Sequence, residues 1–312
     1  MTNKKLISTI LWAIAWLSLG TYITSITQED SASLLGYGAA FIAFLYVDIY
    51  IHEFGHVFSA IIVKFPIKRV TIGTGREIIR TDIGGISLVI TNGFSGGMTY
   101  IGTVTNKHLK LRYFVYVIGG LAFQILAICT LLVAFRVCPS ELFDVKQLSL
   151  LHVFVYSNIL LLILNIYPYS FLLSGIPVPN DGARLIKLPF LKSADIQGIL
   201  AAGDIFEAFE MFEAKQYQDA KIGFQKCVRD YPSVLIPKIN LSSIYIKELQ
   251  FSKTIHYLES IIEMYRKDPY RFFIYNNLAW AYLLSNSPQA LDKADKYSKR
   301  AIECNPHRRS FS

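Results

Sequence analysis

Ile51-His52-Glu53-Phe54-Gly55-His56 reads H-E-x-x-H and lies near the end of a hydrophobic run that begins around Ser33. On a helix, His52 and His56 stand one turn apart and point the same way. Two imidazoles on one face can hold a zinc ion, and a carboxylate beside them can take a proton from a water the ion activates. His52 and His56 are therefore candidate ligands and Glu53 a candidate general base. The five-residue pattern alone is unspecific, but its place is not. His, Glu and His are costly inside a membrane span, so a cluster of them there marks a functional site. The competing reading is a helix end at which these side chains meet water or headgroups.

Working outward, the chain has 312 residues, 53% hydrophobic and only 17% charged. That is too apolar for an ordinary soluble protein and suggests a membrane protein. The apolar content dominates up to about Leu191; the remainder reads as soluble helical protein. The formal charge of +8 is spread over connecting segments and the C-terminal part, with no basic run interleaved with aromatics. It orients spans and solvates the surface, and does not point to nucleic acid. Cys129, Cys138, Cys227 and Cys304 show no C-x-x-C spacing and read as small packing residues.

Lys4 and Lys5 precede a first predicted span at residues 6–26, which starts on the cytoplasmic side. The run is long and lacks a small-x-small cleavage pattern, which favours an anchor over a signal peptide. A second span, 33–63, returns to the cytoplasm, with Lys64, Lys68 and Arg69 at its exit. H-E-x-x-H then sits in the cytoplasmic third of that span, His56 on the order of 10 Å from the helix end. Residues 70–102 are punctuated by glycine. They predict short strands at 70–72, 86–90 and 98–101 with Gly-rich turns. Such a segment cannot span lipid alone but can dip in if buried against protein.

A third span covers 113–135 and contains Gly119-Gly120-Leu121-Ala122, small residues that allow close helix packing. A fourth covers 150–166 and ends in Asn165-Ile166-Tyr167-Pro168, where proline breaks the helix. Asn158, seven residues before Asn165, is expected to make an interhelical hydrogen bond. Hydrolysis by a bound metal needs three protein ligands and one open position. Asp181, followed by Gly182 beyond the broken span, is the candidate third ligand. Asp-Gly by itself reads as a turn, but irregular backbone at that depth lines a cavity. His108 lies in a basic segment and His152 near the outer end of the fourth span; His256 and His307 read as surface residues.

From about Gly203 the pattern becomes helical and amphipathic. Lys215-Gln216-Tyr217-Gln218-Asp219-Ala220 with Phe224 and Tyr231-Pro232 recurs, thirty-four residues on, as Leu249-Gln250-Phe251-Ser252-Lys253-Thr254 with Leu258. Leu241-Ser242-x-x-Tyr245 matches Leu278-Ala279-x-x-Tyr282, and Ala294, Ala301 and Pro306 continue a third unit. This resembles tetratricopeptide repeats, helix–turn–helix units that stack because none buries its apolar face alone. A plain helical bundle is the alternative.

Residues 33–192 resemble the site-2 protease family of intramembrane zinc metalloproteases. The resemblance rests on H-E-x-x-H late in a span, on N-x-x-P (Asn165, Pro168) followed by D-G (Asp181, Gly182), and on a loose match to A-G-P-x-x-N. In that last motif, Gly119-Gly120-Leu121-Ala122-Phe123-Gln124 lacks the proline and has Gln124 where Asn is usual. The gap from Pro168 to Asp181 is longer than the commonest family spacing. The resemblance implies zinc held by His52, His56 and Asp181, Glu53 as general base, and Asn165 helping to stabilise the oxyanion. It implies cleavage of a membrane-anchored protein or peptide within the bilayer.

The expected architecture is mostly α: a polytopic membrane domain over 1–192, of about four spans with a small Gly-rich β segment, then an α-helical repeat domain over 203–312. The N-terminus and the repeats are expected in the cytoplasm, most naturally at the cell membrane, with the repeats binding a protein partner or gating access. The rival reading is a non-catalytic membrane scaffold acting through its repeats. A third reading, a protease acting on short exported peptides, is not separated from the first by the residues.

Overall fold

A computed structural model describes residues 31–137, 149–173, 176–285 and 290–304. The predicted first span, 6–26, and Cys138, Pro306 and His307 lie outside the described residues. The described chain forms two compact units. One gathers the described residues of Met1–Thr99, Lys110–Leu173 and Pro177–Pro189, the other those of Tyr100–Leu109, Ser174–Ile176 and Phe190–Ser312.

The first unit is built on three helices: α1 (Ser31–Ile62), α2 (Leu109–Phe135) and α3 (Leu150–Ile166). In α1 the usual distribution of side chains is inverted. Val47, Tyr50, Phe54, Phe58 and Ile61 form an exposed apolar stripe at helical spacing, while Asp48, His52, Glu53, His56 and Ser59 are buried. A soluble helix buries its apolar stripe; polar groups inside and apolar groups outside suit a helix surrounded by lipid. Residues Leu35–Ile62 and Leu109–Phe135 are long and apolar enough to cross a membrane. α3 is apolar but has 17 residues. At about 1.5 Å per residue it falls slightly short of a hydrocarbon core of about 30 Å.

α1 and α3 are tied together by a buried acid the sequence reading passed over. The Asp48 carboxylate accepts from Ser157 Oγ at 2.6 Å and from Asn158 Nδ2 at 3.0 Å. Asn158 thus makes the interhelical bond expected of it. Replacing Asp48 with Leu strands the Asn158 amide, at about 1–3 kcal/mol when buried, while Ser157 Oγ keeps the Phe154 carbonyl at 2.8 Å. We expect Asp48→Leu to lower the thermal midpoint of the detergent-solubilised chain markedly, and Asp48→Asn, which keeps an acceptor, to lower it less. An unchanged midpoint for Asp48→Leu would show that the carboxylate ties nothing.

The Gly-rich segment differs from the three short strands expected. It is one long hairpin, β1 (Ile67–Ile83) paired with β2 (Ile86–Ile101). Gly84 and Gly85 both have positive φ, as a two-residue hairpin turn of primed type requires. The other positive-φ glycines, Gly73, Gly75 and Gly96, lie inside the strands. They distort the ladder rather than end it, which is why they read as turns from sequence alone. At the hairpin base Val70 and Ile72 pack with Ile49 of α1. A second, short two-stranded sheet, β3 (Ser170–Leu173) with β4 (Ile176–Pro179), follows α3 and leads into α4 (Asp181–Lys187).

The second unit is helical: α5 (Ser193–Glu213), α6 (Tyr217–Asp230), α7 (Ile236–Lys247), α8 (Phe251–Ile261), α9 (Arg271–Leu284) and α10 (Ala290–Cys304). Its first helix starts at Ser193, ten residues before the amphipathic pattern becomes legible. The thirty-four-residue recurrence is visible in the backbone. α5 and α7 end alike: Lys215 and Leu249 take the left-handed conformation. Gln216 N donates to Met211 O at 2.9 Å and Gln250 N to Tyr245 O at 2.8 Å, the six-to-one bond of a Schellman cap. Ala220 and Thr254, then Phe224 and Leu258, are fully buried one period apart.

Candidate metal centre

H-E-x-x-H lies on α1 with both imidazoles buried. His52 Nε2 lies 2.9 Å and His56 Nε2 3.0 Å from Asp181 Oδ2, and the two Nε2 atoms are 3.1 Å apart. Asp181 is thus brought to the histidines from the start of α4, and these three form the one His/Cys/Asp/Glu cluster of metal-binding geometry among the described residues. His152 instead bonds Ser149 Oγ at 2.7 Å, and His256 is exposed.

The outer ring nitrogens fix what the inner ones offer. His56 Nδ1 meets the Tyr116 carbonyl at 2.9 Å. A carbonyl only accepts, so Nδ1 carries a proton, and in the neutral ring Nε2 presents a lone pair. His52 Nδ1 lies 2.9 Å from Gln124 Oε1, which favours the same tautomer. With neutral rings, two lone pairs and a carboxylate oxygen converge, an arrangement that a cation can bridge. Tetrahedral coordination at about 2.0–2.1 Å sets ligands about 3.3 Å apart, close to the observed triangle. The donor set fits a metal ion of intermediate softness such as zinc.

The awkward gap from Pro168 to Asp181 is closed by one side chain. Pro168 lacks the N–H that would meet Leu164 O four residues back. Asn180 Nδ2 takes its place, donating to Leu164 O at 3.0 Å, Asn165 O at 3.2 Å and Tyr167 O at 2.7 Å. Asn180 Oδ1 accepts from Tyr169 N at 3.1 Å and caps α4 by accepting from Ala183 N at 3.0 Å. Asn180 N donates to Tyr169 O at 3.0 Å. The extra residues loop out as β3 and β4 between Tyr169 and Asn180, so their number does not move Asp181.

Glu53 is buried, and its Oε2 accepts from Thr99 Oγ1 at 2.7 Å. Tyr116 Oη donates to the Thr99 carbonyl at 2.7 Å, so one residue of β2 links Glu53 to α2. Asn165 is half-buried, with Nδ2 3.3 Å from His52 Nδ1. Arg184, one turn after Asp181, has Nη1 3.7 Å from Asp181 Oδ1. Glu53, the metal triad, Asn165, Tyr116, Thr99 and Arg184 all line one cavity of about 210 Å³. The sequence reading gave no site role to Asp48, Thr99, Tyr116 or Arg184. Asp48, four residues before His52 on the same face, and Arg184, three after Asp181, were legible from helical spacing; Thr99 and Tyr116 were not.

Two glycines hold the walls close. A Cβ on Gly120 would lie 2.5 Å from His52 Cε1, and one on Gly97 would lie 2.6 Å from Glu53 Cγ and 2.7 Å from its Oε1. The expected effects of substitution differ. Gly120→Ala pushes a ligand and lowers metal content. Gly97→Ala pushes Glu53, leaves metal content at the wild-type level and lowers turnover on the order of 10²-fold, the scale of a 1 Å misplacement. Metal analysis alongside a cleavage assay separates them, and equal metal loss in both variants would contradict this assignment.

The model of Peptidase family M50, the site-2 protease family, matches residues 40–287. The chain belongs to peptidase family M50. The match takes in every residue of the cavity and continues past Lys192, where the motif resemblance stops, through α9. The family is one of membrane-associated metallopeptidases, in keeping with the metal triad and with two helices able to cross a membrane. No curated protein matches the chain.

Proposed function

We propose that this M50 peptidase is an intramembrane zinc metalloprotease that hydrolyses peptide bonds of membrane-anchored proteins or peptides. The observation that carries the reading is the triangle of candidate donor atoms from His52, His56 and Asp181 with the Glu53 carboxylate in the same cavity. When bound, zinc would supply a Lewis acid that makes water a nucleophile at neutral pH. The chain's own residues do the rest. Glu53, oriented by Thr99, takes the proton from water and delivers it to the leaving amine. Asn165 offers an amide N–H towards the reacting carbonyl. The exposed apolar stripe of α1 keeps the cavity at membrane depth.

A helical substrate hides its carbonyls in its own hydrogen bonds and must unwind to be cut. The β2 edge at Gly96, Gly97, Met98 and Thr99, which lines the cavity, would hold the unwound segment by β-addition. The helices from α5 onward are read as tetratricopeptide-like repeats on the cytoplasmic side that bind a partner or control entry. The recurring Schellman caps and buried positions at thirty-four residues support this. In cells carrying Glu53→Gln, uncleaved membrane-anchored precursors should accumulate relative to wild type. A Glu53→Gln strain with full biological activity and no accumulating precursor would favour the scaffold reading.

A further inference from the structure

We infer that Arg184 is the charged oxyanion-stabilising residue of this site, an assignment that rests on the protease reading above. A guanidinium has five N–H groups and stays protonated. Yet the nearest acceptor shown for Arg184 is Asp181 Oδ1, at 3.7 Å. A charge-assisted hydrogen bond would bring them to about 2.7–2.9 Å. The Arg184 side chain is 21% exposed and lines the cavity. Its nitrogens are not among the buried unpartnered atoms and open on the cavity, where an acceptor that arrives with the substrate can reach them.

Its placement follows from α4. Arg184 is three residues after Asp181, so both side chains leave one face of the helix. Asp181 turns Oδ2 to the histidines and Oδ1 toward Arg184. Charge points the same way. Among the described residues lining the cavity, Glu53 and Asp181 are the carboxylates and Arg184 the one permanent cation. With a divalent ion the two carboxylates balance, and Arg184 leaves one positive charge for an anion that develops during reaction. In hydrolysis the water oxygen bonds to the carbonyl carbon, the C=O π pair moves to the carbonyl oxygen, and Glu53 takes the water proton. The resulting alkoxide accepts from Arg184. It collapses as the C–N bond breaks and Glu53 returns the proton to the amine. Asn165 Nδ2, 3.3 Å from His52 Nδ1, offers a neutral donor, which leaves the charged one the larger share.

The test uses the full chain in detergent, loaded with zinc, and two N-acetylated probes: acetyl-glycyl-leucinamide with a phosphonamidate in place of the Gly–Leu amide, a tetrahedral anion, and the neutral acetyl-glycyl-leucinamide itself. Arg184→Met should weaken the phosphonamidate about 10²–10³-fold, the scale of one lost oxyanion donor, and the amide less than about threefold. Zinc affinity should be unchanged, and Arg184→Lys should recover part of the loss. Equal weakening of both probes, or a tenfold or greater loss of zinc affinity, overturns the assignment and makes Arg184 a holder of Asp181. A wild-type chain that binds zinc but not the phosphonamidate overturns the protease reading and this role together. Wild type and Arg184→Met binding it equally overturns this role alone.

Discussion

Glu53→Gln is expected to keep its metal and lose turnover by on the order of 10²–10⁴-fold, the range for removal of a general base. Glutamine has nearly the shape of glutamate, so the fit against Gly97, where a Cβ would already press on Glu53, is preserved. Thr99 Oγ1, which donates to Oε2 at 2.7 Å, still finds an amide oxygen. What disappears is the ability to accept a proton from water and carry it to the amine. Glu53 contributes no atom to the His52–His56–Asp181 triangle, so metal content should equal that of wild type. The check is metal analysis and cleavage measured on the same preparation. A fall in metal content parallel to the fall in turnover would mean that Glu53 acts as a ligand or a structural acid rather than as the base.

Asp181→Ala is expected to act in the opposite order, on metal first. The variant leaves His52 and His56 with their Nδ1 atoms still held by Gln124 and the Tyr116 carbonyl, but with two ligands in place of three. Structural zinc sites with a full set of four ligands bind with about 10–16 kcal/mol. An even share per ligand then corresponds to a loss on the order of 10²–10³-fold in affinity. The change also strands Arg184 beside the cavity without its carboxylate neighbour, so some loss of stability accompanies it. Asp181→Asn separates the two effects: it retains the shape, and an amide is a poor ligand. Zinc titration against a competing chelator is the measurement, and wild-type affinity in Asp181→Ala would remove Asp181 from the centre.

Much of this site was legible because its central elements are local. His52, Glu53 and His56 share one helical turn, and helix spacing alone puts the two imidazoles on one side. Pro168 and Asp181-Gly182 announce a broken helix and a return. The closure between them was not legible, because it depends on Asn180 reaching back to carbonyls at the end of α3, among them the Leu164 carbonyl that Pro168 leaves without a donor. That is a tertiary contact with no periodic signature. The hairpin was misread as three strands because glycine supports both turns and distortions within strands, and residue type does not tell them apart. Asp48 was passed over although it stands at helical spacing from His52. A single acid in an apolar run is outweighed in any average over the span, while its partners Ser157 and Asn158 lie more than a hundred residues away. In the second unit, the thirty-four-residue spacing was legible because the ends of α5 and α7 and the buried pairs Ala220/Thr254 and Phe224/Leu258 recur at it. The start at Ser193 was not, because the first turns of α5 lack a clear apolar stripe.

The central claim is that two imidazoles and one carboxylate of this chain hold a single zinc ion. X-ray absorption at the zinc edge, on the purified full-length protein after zinc loading and removal of excess metal, tests it most directly. The account predicts one zinc per chain, with two imidazole nitrogens at about 2.0–2.1 Å and carboxylate oxygen at about 2.0–2.2 Å in the first shell. A chain that retains no zinc, or zinc whose first shell contains sulfur or a single imidazole, would contradict it.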